Sequence, residues 1–332
     1  MSVQITIIGL GKIGTSIGLA LDGESQQLTR HGHDKSIESA KLAEKLGAID
    51  KVQINIHSSV ENADIIILAL PPSEVKETLE LISEDLKDES LIIDTSPLGV
   101  ITHQWAEETI PEGRHFLKLY PTINPEFIND IKTGAQSASK DLFKNSLVVI
   151  TSPQSTKSEA LQLGADLVTL LGANPFFADP YEFDGLIAST HLLPQIVSAA
   201  LLKAITEQPG WQEAQKIAGD TFNLSSKPID TIQNGSDFAH LSIINNDNCV
   251  RVINNMITAL TDLREMIQNK DQKGIEASIS KVKENRSSWE SNRISADWDR
   301  VIERPPMPTS GDMFKNMFGF RLGKGKKEAD KK

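Results

Sequence analysis

Uninterrupted apolar runs alternate with stretches of helical period through the first half of the chain. Residues 3–8, 65–70, 91–94, 116–119 and 147–150 read as strands covered on both faces, and 28–33 as a more polar one. Residues 36–46 and 72–86 carry apolar side chains three and four apart, the spacing of helices. Strand alternating with helix predicts a parallel sheet with right-handed crossovers. After residue 152 the strands almost vanish. Residues 159–171 predict an amphipathic helix ended by Gly172, and 174–178 one last strand. Residues 180–207 predict a long apolar helix bent at Pro194, followed by two more helices over 238–267 and 271–293. The expected fold class is α/β: a Rossmann-type doubly wound parallel sheet over 1–152, then an all-helical domain over 153–298. The apolar length of the latter suits a homodimer.

Composition narrows the partners. The chain has 332 residues, 34 Lys and Arg against 45 Asp and Glu, and a single cysteine, Cys249. The balance of −11 argues against a nucleic-acid binder, and one cysteine excludes a disulfide framework. No run approaches the ~20 uninterrupted apolar residues of a membrane span. Residues 5–21 are apolar enough for a signal-peptide core. However, no basic segment precedes them, Lys12 sits among them and glycines interrupt them, so a cytoplasmic protein is expected. Histidines 31, 57, 103 and 240 lack metal-ligand spacing, and no metal is expected. Residues 299–332 read as a flexible basic tail whose segment 313–320 packs weakly on the body.

The sharpest local signal is Gly9-Leu10-Gly11-Lys12-Ile13-Gly14, between a predicted strand and a predicted helix, with Asp34 twenty residues beyond. Gly9 permits a tight turn, Gly11 lets backbone approach a pyrophosphate, and Gly14 lets helix pack on sheet. Lys12, Ile13 and Gly14 open the helix whose positive end attracts phosphate. Asp34 is placed to accept the ribose hydroxyls, which favours NAD. Arg30, His33 and Lys35 lie close enough in sequence to soften repulsion of a 2′-phosphate, so NADP is the alternative. Leu70-Pro71 and Ser96 end two further strands, where α/β ligands bind.

Taken in order, these blocks resemble the prephenate/arogenate dehydrogenase family. Carrying the resemblance are the glycine motif, Asp34, "Ala-Asp-Ile-Ile-Ile-Leu-Ala-Leu-Pro", "Ile-Ile-Asp-Thr-Ser", "His-Phe-Leu-Lys-Leu-Tyr-Pro" and "Phe-Asp-Gly-Leu-Ile-Ala-Ser-Thr-His-Leu-Leu-Pro". In the helical half it continues with "Gly-Asp-Thr-Phe-Asn-Leu-Ser-Ser-Lys" and "Phe-Ala-His-Leu-Ser-Ile-Ile-Asn". The resemblance implies NAD(P)-dependent oxidative decarboxylation of a ring carboxylate by a homodimer. A general base there takes a ring hydroxyl proton.

Departures gather on the substrate side. The family histidine before a proline is Tyr120 here, and its His-Asp is Phe183-Asp184. The family serine falls next to Ser96. Ser-His-Leu-Pro becomes His191-Leu192-Leu193-Pro194, with the histidine one residue earlier. The carboxylate-binding arginine falls at Lys227, and Asn245 matches a family asparagine. Tyr120, His191 and Ser96 are thus the candidates for proton transfer, Tyr120 on condition that a nearby cation lowers its pKa. Lys227 and Asn245 are the candidate substrate contacts. Two further readings stay open: another hydroxy or amino acid as substrate, and a non-catalytic NAD-binding homologue.

Overall fold

The computed structural model describes residues 3–296 except 25–27 and 154. The tail expected beyond 299 lies outside the described residues. Eight strands form one sheet in the order β3-β2-β1-β4-β5-β6-β7-β8. They are β1 (Val3–Ile8), β2 (Leu28–His33), β3 (Lys51–Val52), β4 (Ile65–Leu68), β5 (Leu91–Asp94), β6 (His115–Pro121), β7 (Leu147–Thr151) and β8 (Asn174–Phe177). Helices α1 (Lys12–Ala20), α2 (Ile37–Lys45), α3 (Ile56–Val60), α4 (Val75–Ile82), α5 (Val100–Thr109) and α6 (Ser158–Leu170) connect them.

The central strands are apolar on both sides because both faces are covered. Ile5, Ile7, Ile65, Ile67 and Ile93 point into one buried cluster with residues of α1, α2 and α6. Ile66, Leu68, Ile92 and Phe116 point into another with α4, α5 and the start of the helical half. The sheet is mostly parallel, as expected, with two local differences. All neighbouring strands pair in parallel except β6 and β7, which are antiparallel. An apolar run specifies burial but not direction, so the sequence pattern was silent on this. The sheet also runs past residue 152, where the first domain was expected to end: α6 packs on β6, and β8 pairs with β7.

The helical half contains α7 (Pro180–Ile187), α8 (Leu193–Thr206), α9 (Trp211–Ala214), α10 (Asp220–Ser226), α11 (Gly235–Ile244), α12 (Asn246–Gln268) and α13 (Gln272–Ser295). A π turn, Ala188–Leu192, joins α7 to α8. The single helix expected over 238–267 is two, broken at Asn245 with φ −98° and ψ 34°. Among the described residues, one helix, Pro180–Thr206, is long and apolar enough to cross a membrane by length and composition, with 28% of its apolar window buried. Phe183, Ile187 and Leu192 are its contribution to the core beneath the sheet.

Candidate active site

The loop between β1 and α1 divides its glycines by purpose. Gly9 has φ +92°, and a Cβ there would stand 2.4 Å from the Ala69 carbonyl oxygen. A Cβ at Gly14 would stand 2.0 Å from the Gly9 carbonyl oxygen. These two are glycine because the fold leaves no room. Gly11 is different: a Cβ there meets nothing within 4 Å. Gly11 also precedes α1 without a side-chain cap, so the helix presents its N–H groups and positive dipole end to that open space. The donor set and the space fit a dinucleotide pyrophosphate.

Asp34 frames the same loop. Its Oδ2 accepts from Leu10 N at 2.7 Å and its Oδ1 from Ser36 N at 2.8 Å. Each oxygen keeps a lone pair for a ribose hydroxyl. Lys12 reaches across to the Asp130 carbonyl at 2.9 Å and its carboxylate at 3.4 Å, while Ile13 packs on the sheet core. Leu70 follows β4 and lies against the loop, its Cδ2 3.1 Å from the Cβ position of Gly9. Pro71 sits immediately before a 3-10 turn, Pro72–Glu74.

The basic residues beside Asp34 differ in how firmly they are held. Arg30 is buried, with its guanidinium 2.7 Å from Asp22, 2.8 Å from Asp50, and bonded to the carbonyls of Gly18 and Gly47. Lys35 pairs with Glu74 at 3.0 Å, and His33 Nδ1 meets the Gln53 carbonyl at 3.0 Å. The Arg30 charge is therefore spent inside the fold, while the Lys35 side chain, 73% exposed, keeps its charge at the surface.

A second polar group lies where the carboxyl end of β5 meets the middle of β6. Asp94 and Lys118 are register partners on neighbouring strands, fully buried, 2.6 Å apart. Ser96 Oγ donates to Asp94 at 2.8 Å and accepts from Lys118 Nζ at 3.3 Å. Its proton points inward, which removes Ser96 as a free acid or base. Tyr120 shares the Lys118 face of β6 and packs edge-on to Phe183, ring centroids 5.4 Å apart. Burial pushes its phenol up to about 12. The cation that would have lowered it, Lys118, is bonded to Asp94 instead. Desolvation therefore favours the protonated phenol of Tyr120 at neutral pH.

His191 is held by the π turn. Pro194 has no N–H for the carbonyl four residues earlier, and its ring would press on that carbonyl in a regular helix. The wider turn relieves this and takes up one extra residue. Leu192 is thereby fully buried while His191 stays partly exposed. Burial lowers the His191 pKa, so its imidazole is neutral at pH 7.

The two candidate substrate contacts differ. Lys227 opens the 3-10 turn Lys227–Thr231, which is fixed to α8 because Ser198 Oγ donates to the Ser226 carbonyl at 2.6 Å and accepts from Ile229 N at 3.2 Å. Asn245 is nearly buried; it donates to the Asp184 carbonyl at 2.8 Å and accepts from Asn248 at 2.9 Å. It joins α7 to α12, so its amide is engaged by protein rather than presented to a substrate.

Two residues were missed as sites. Lys118 had a signal, a charge inside an otherwise apolar strand. Asp184 had only its place in the Phe-Asp pair. Its carboxylate accepts from Gly99 N at 2.8 Å and Val100 N at 3.1 Å, capping α5 from across the chain. A Cβ at Gly99 would lie 2.4 Å from that carboxylate.

His103, read as structural from sequence, is buried against Phe116 with Nε2 2.7 Å from Thr151 Oγ1 and Nδ1 unpartnered. Burial, helped by Lys118, brings its pKa down to about 4. The unfolded chain then binds a proton that the folded chain does not between about pH 6.5 and pH 4. Stability should fall by about 3 kcal/mol as pH drops through that window. Urea midpoints for wild type and His103→Gln should show this slope in the first and a flatter one in the second.

Two family models match the chain: "Prephenate dehydrogenase, nucleotide-binding domain" over residues 17–176 and "Prephenate dehydrogenase, dimerization domain" over 179–281. The chain belongs to the prephenate dehydrogenase family. Prephenate dehydrogenase of Bacillus subtilis is 31% identical over 208 residues, 61% of this chain and 53% of that protein. Cyclohexadienyl dehydrogenase of Zymomonas mobilis is 24% identical over 203 residues, 61% of this chain and 67% of that protein. The chain thus spans about half the length of the first of these curated relatives. In fold it is similar to Aquifex aeolicus prephenate dehydrogenase, solved with hydroxyphenyl propionate and NAD+. The TM-score is 0.77 at 19% identity, covering 87% of this chain and 98% of that one. Synechocystis arogenate dehydrogenase gives a TM-score of 0.71 at 21% identity, covering 86% and 100%. The glycine motif lies upstream of the matched span, so in this family member it rests on its own geometry.

Proposed function

We propose that the protein is an NAD-dependent dehydrogenase acting on prephenate or arogenate, as a homodimer in the cytoplasm. The observation that carries the reading is the open approach at Gly11, framed by Asp34 and the uncapped end of α1, in a chain of this family. NAD, when bound, supplies the hydride acceptor. Gly11 and the first N–H groups of α1 receive its pyrophosphate and Asp34 its ribose, while Leu70 and Pro71 border it at the end of β4. With the Arg30 guanidinium buried between Asp22 and Asp50, its charge does not offset Asp34, and NAD is preferred over NADP. His191, neutral at working pH, takes the proton of the ring hydroxyl. Tyr120 packs beside Phe183 with its proton retained. Lys227 offers a point charge to the substrate carboxylate, without the two-pronged geometry of an arginine.

The homodimer accounts for the apolar surface of the helical half. Ile217, Leu224, Ile243, Val250, Ile257, Leu260 and Ile267 are all more than half exposed. A surface of that kind is covered by a partner in stable proteins, and the matching family model is a dimerization domain.

The test is NAD reduction on adding prephenate or arogenate. Turnover with either supports the reading, and none at saturating cofactor removes those substrates. A second reading, the same hydride chemistry on another hydroxy or amino acid, draws on Tyr120 and Phe183 standing where the family has histidines. A panel of carboxylic acids with NADH, read by thermal shift, separates the two, since a ligand at 100 times its Kd adds ~2.7 kcal/mol.

A further inference from the structure

The glycine loop lies between two others. Ile8, the last residue of β1, is the register partner of His33 at the end of β2 on one side and of Leu68 at the end of β4 on the other. The loops that leave those two strands, 34–36 and 69–74, therefore flank residues 9–14 about 10 Å apart, two strand spacings. An ion pair spans the gap: Lys35 Nζ stands 3.0 Å from Glu74 Oε2. Both ends of the span are anchored. Asp34 accepts from Leu10 N and Ser36 N, which fixes the backbone on either side of Lys35. On the opposite loop Pro71 and Pro72 restrict the chain, Glu74 N donates to the Pro71 carbonyl at 3.0 Å, and Ser73 Oγ donates to Asp237 of α11.

The pair stands at the adenosine end of the site, beside the carboxylate that receives the ribose. Arg30 spends its charge on Asp22 and Asp50 inside the fold, whereas the Lys35 ammonium is exposed and accessible to a ligand. A 2′-phosphate on that ribose would bring about two negative charges next to residue 35. A lysine without a partner there would attract them. A lysine already paired attracts them less, and the Glu74 carboxylate adds repulsion. The 2′-hydroxyl of NAD is neutral and nearly indifferent to both. An exposed pair contributes modestly even with anchored ends, so its effect is a shift in the cofactor ratio and not a loss of binding.

We propose that Glu74 is a specificity-determining residue: by holding Lys35 across the glycine loop it withholds that ammonium from a 2′-phosphate, and so lowers affinity for NADP relative to NAD. The proposal rests on the NAD reading above and adds to Asp34 a second determinant, on a different strand-end loop. Removing the Glu74 charge releases Lys35 while Asp34 and the glycine loop keep their own hydrogen bonds. The change therefore falls on the phosphorylated dinucleotide.

The experiment titrates NADH and NADPH into the full-length wild type, Glu74→Gln, Lys35→Met and the double variant, read by the fluorescence of the bound dihydronicotinamide. The wild type should favour NADH. Glu74→Gln should narrow that preference ~5-fold, the scale of one exposed charge pair, by tightening NADPH while NADH stays within ~2-fold. Lys35→Met should not tighten NADPH. Added to Glu74→Gln it should remove most of the gain, because the released ammonium carries it. Both side chains reach solvent, so all three variants should melt close to the parent. NADH binding with an unmoved ratio in Glu74→Gln, or the full gain surviving in the double variant, overturns this proposal alone. A wild type that binds neither dinucleotide overturns the NAD reading and the proposal with it.

Discussion

Gly14→Ala is expected to yield no stable folded protein, whereas Gly11→Ala should fold like the parent and lose its dinucleotide. The new methyl at Gly14 would stand 2.0 Å from the Gly9 carbonyl oxygen, backbone against backbone, with no flexible side chain to yield. Separating α1 from β1 enough to admit it would cost about 3 kcal/mol or more. At Gly11 the methyl meets nothing within 4 Å, and φ −74° with ψ −160° suits alanine. The same methyl enters the space where a pyrophosphate would meet the N–H groups of α1. Thermal melts should then be nearly identical for Gly11→Ala and wild type, while NAD affinity drops ~10–100-fold, equivalent to about 1.4–2.8 kcal/mol. Unchanged affinity in that variant would place the phosphates elsewhere.

The second large effect separates His191 from Tyr120. His191→Ala should lower kcat by ~10²–10⁴-fold, the usual contribution of a positioned base, and Tyr120→Phe by no more than ~3-fold. The pH profile gives an independent reading. A base works when unprotonated, and burial lowers the His191 pKa below 6.5, so kcat should hold steady as pH falls through 6.5 and decline only further down. A phenol pushed up to about 12 predicts the opposite, a rate still climbing at pH 9. A profile of that second kind, or full activity in His191→Ala, returns the role to Tyr120.

These contrasts indicate what the sequence could carry. The glycine motif, β1, α1 and β4 were readable because local pattern and global placement agree there: apolar runs become central strands, and the special turn residues sit where the turn is. β3 is two residues long and offers no period to detect. The break at Asn245 has no glycine or proline to announce it, since it depends on an amide reaching the Asp184 carbonyl sixty-one residues earlier. At the candidate site the difficulty is of the same kind. Residue types at Tyr120 and His191 were visible, but their acidities depend on what buries them. The Lys118–Asp94 contact joins strands that the sequence separates by a whole helix. The π turn could be seen only as a histidine shifted by one position; the backbone that accommodates it was hidden.

The cap that Asp184 provides has a mechanical meaning. It belongs to the first helix after the sheet, yet its carboxylate closes the end of α5, a helix of the sheet layer. Gly99 keeps that contact close by having no side chain to hold it off. The passage from sheet to helices is therefore a clamped joint, at which rotation would uncap a helix and expose a carboxylate together. Beyond the joint the helical half is fastened to the sheet layer again, where Ser73 Oγ donates to Asp237 of α11, so the two halves are held at more than one place.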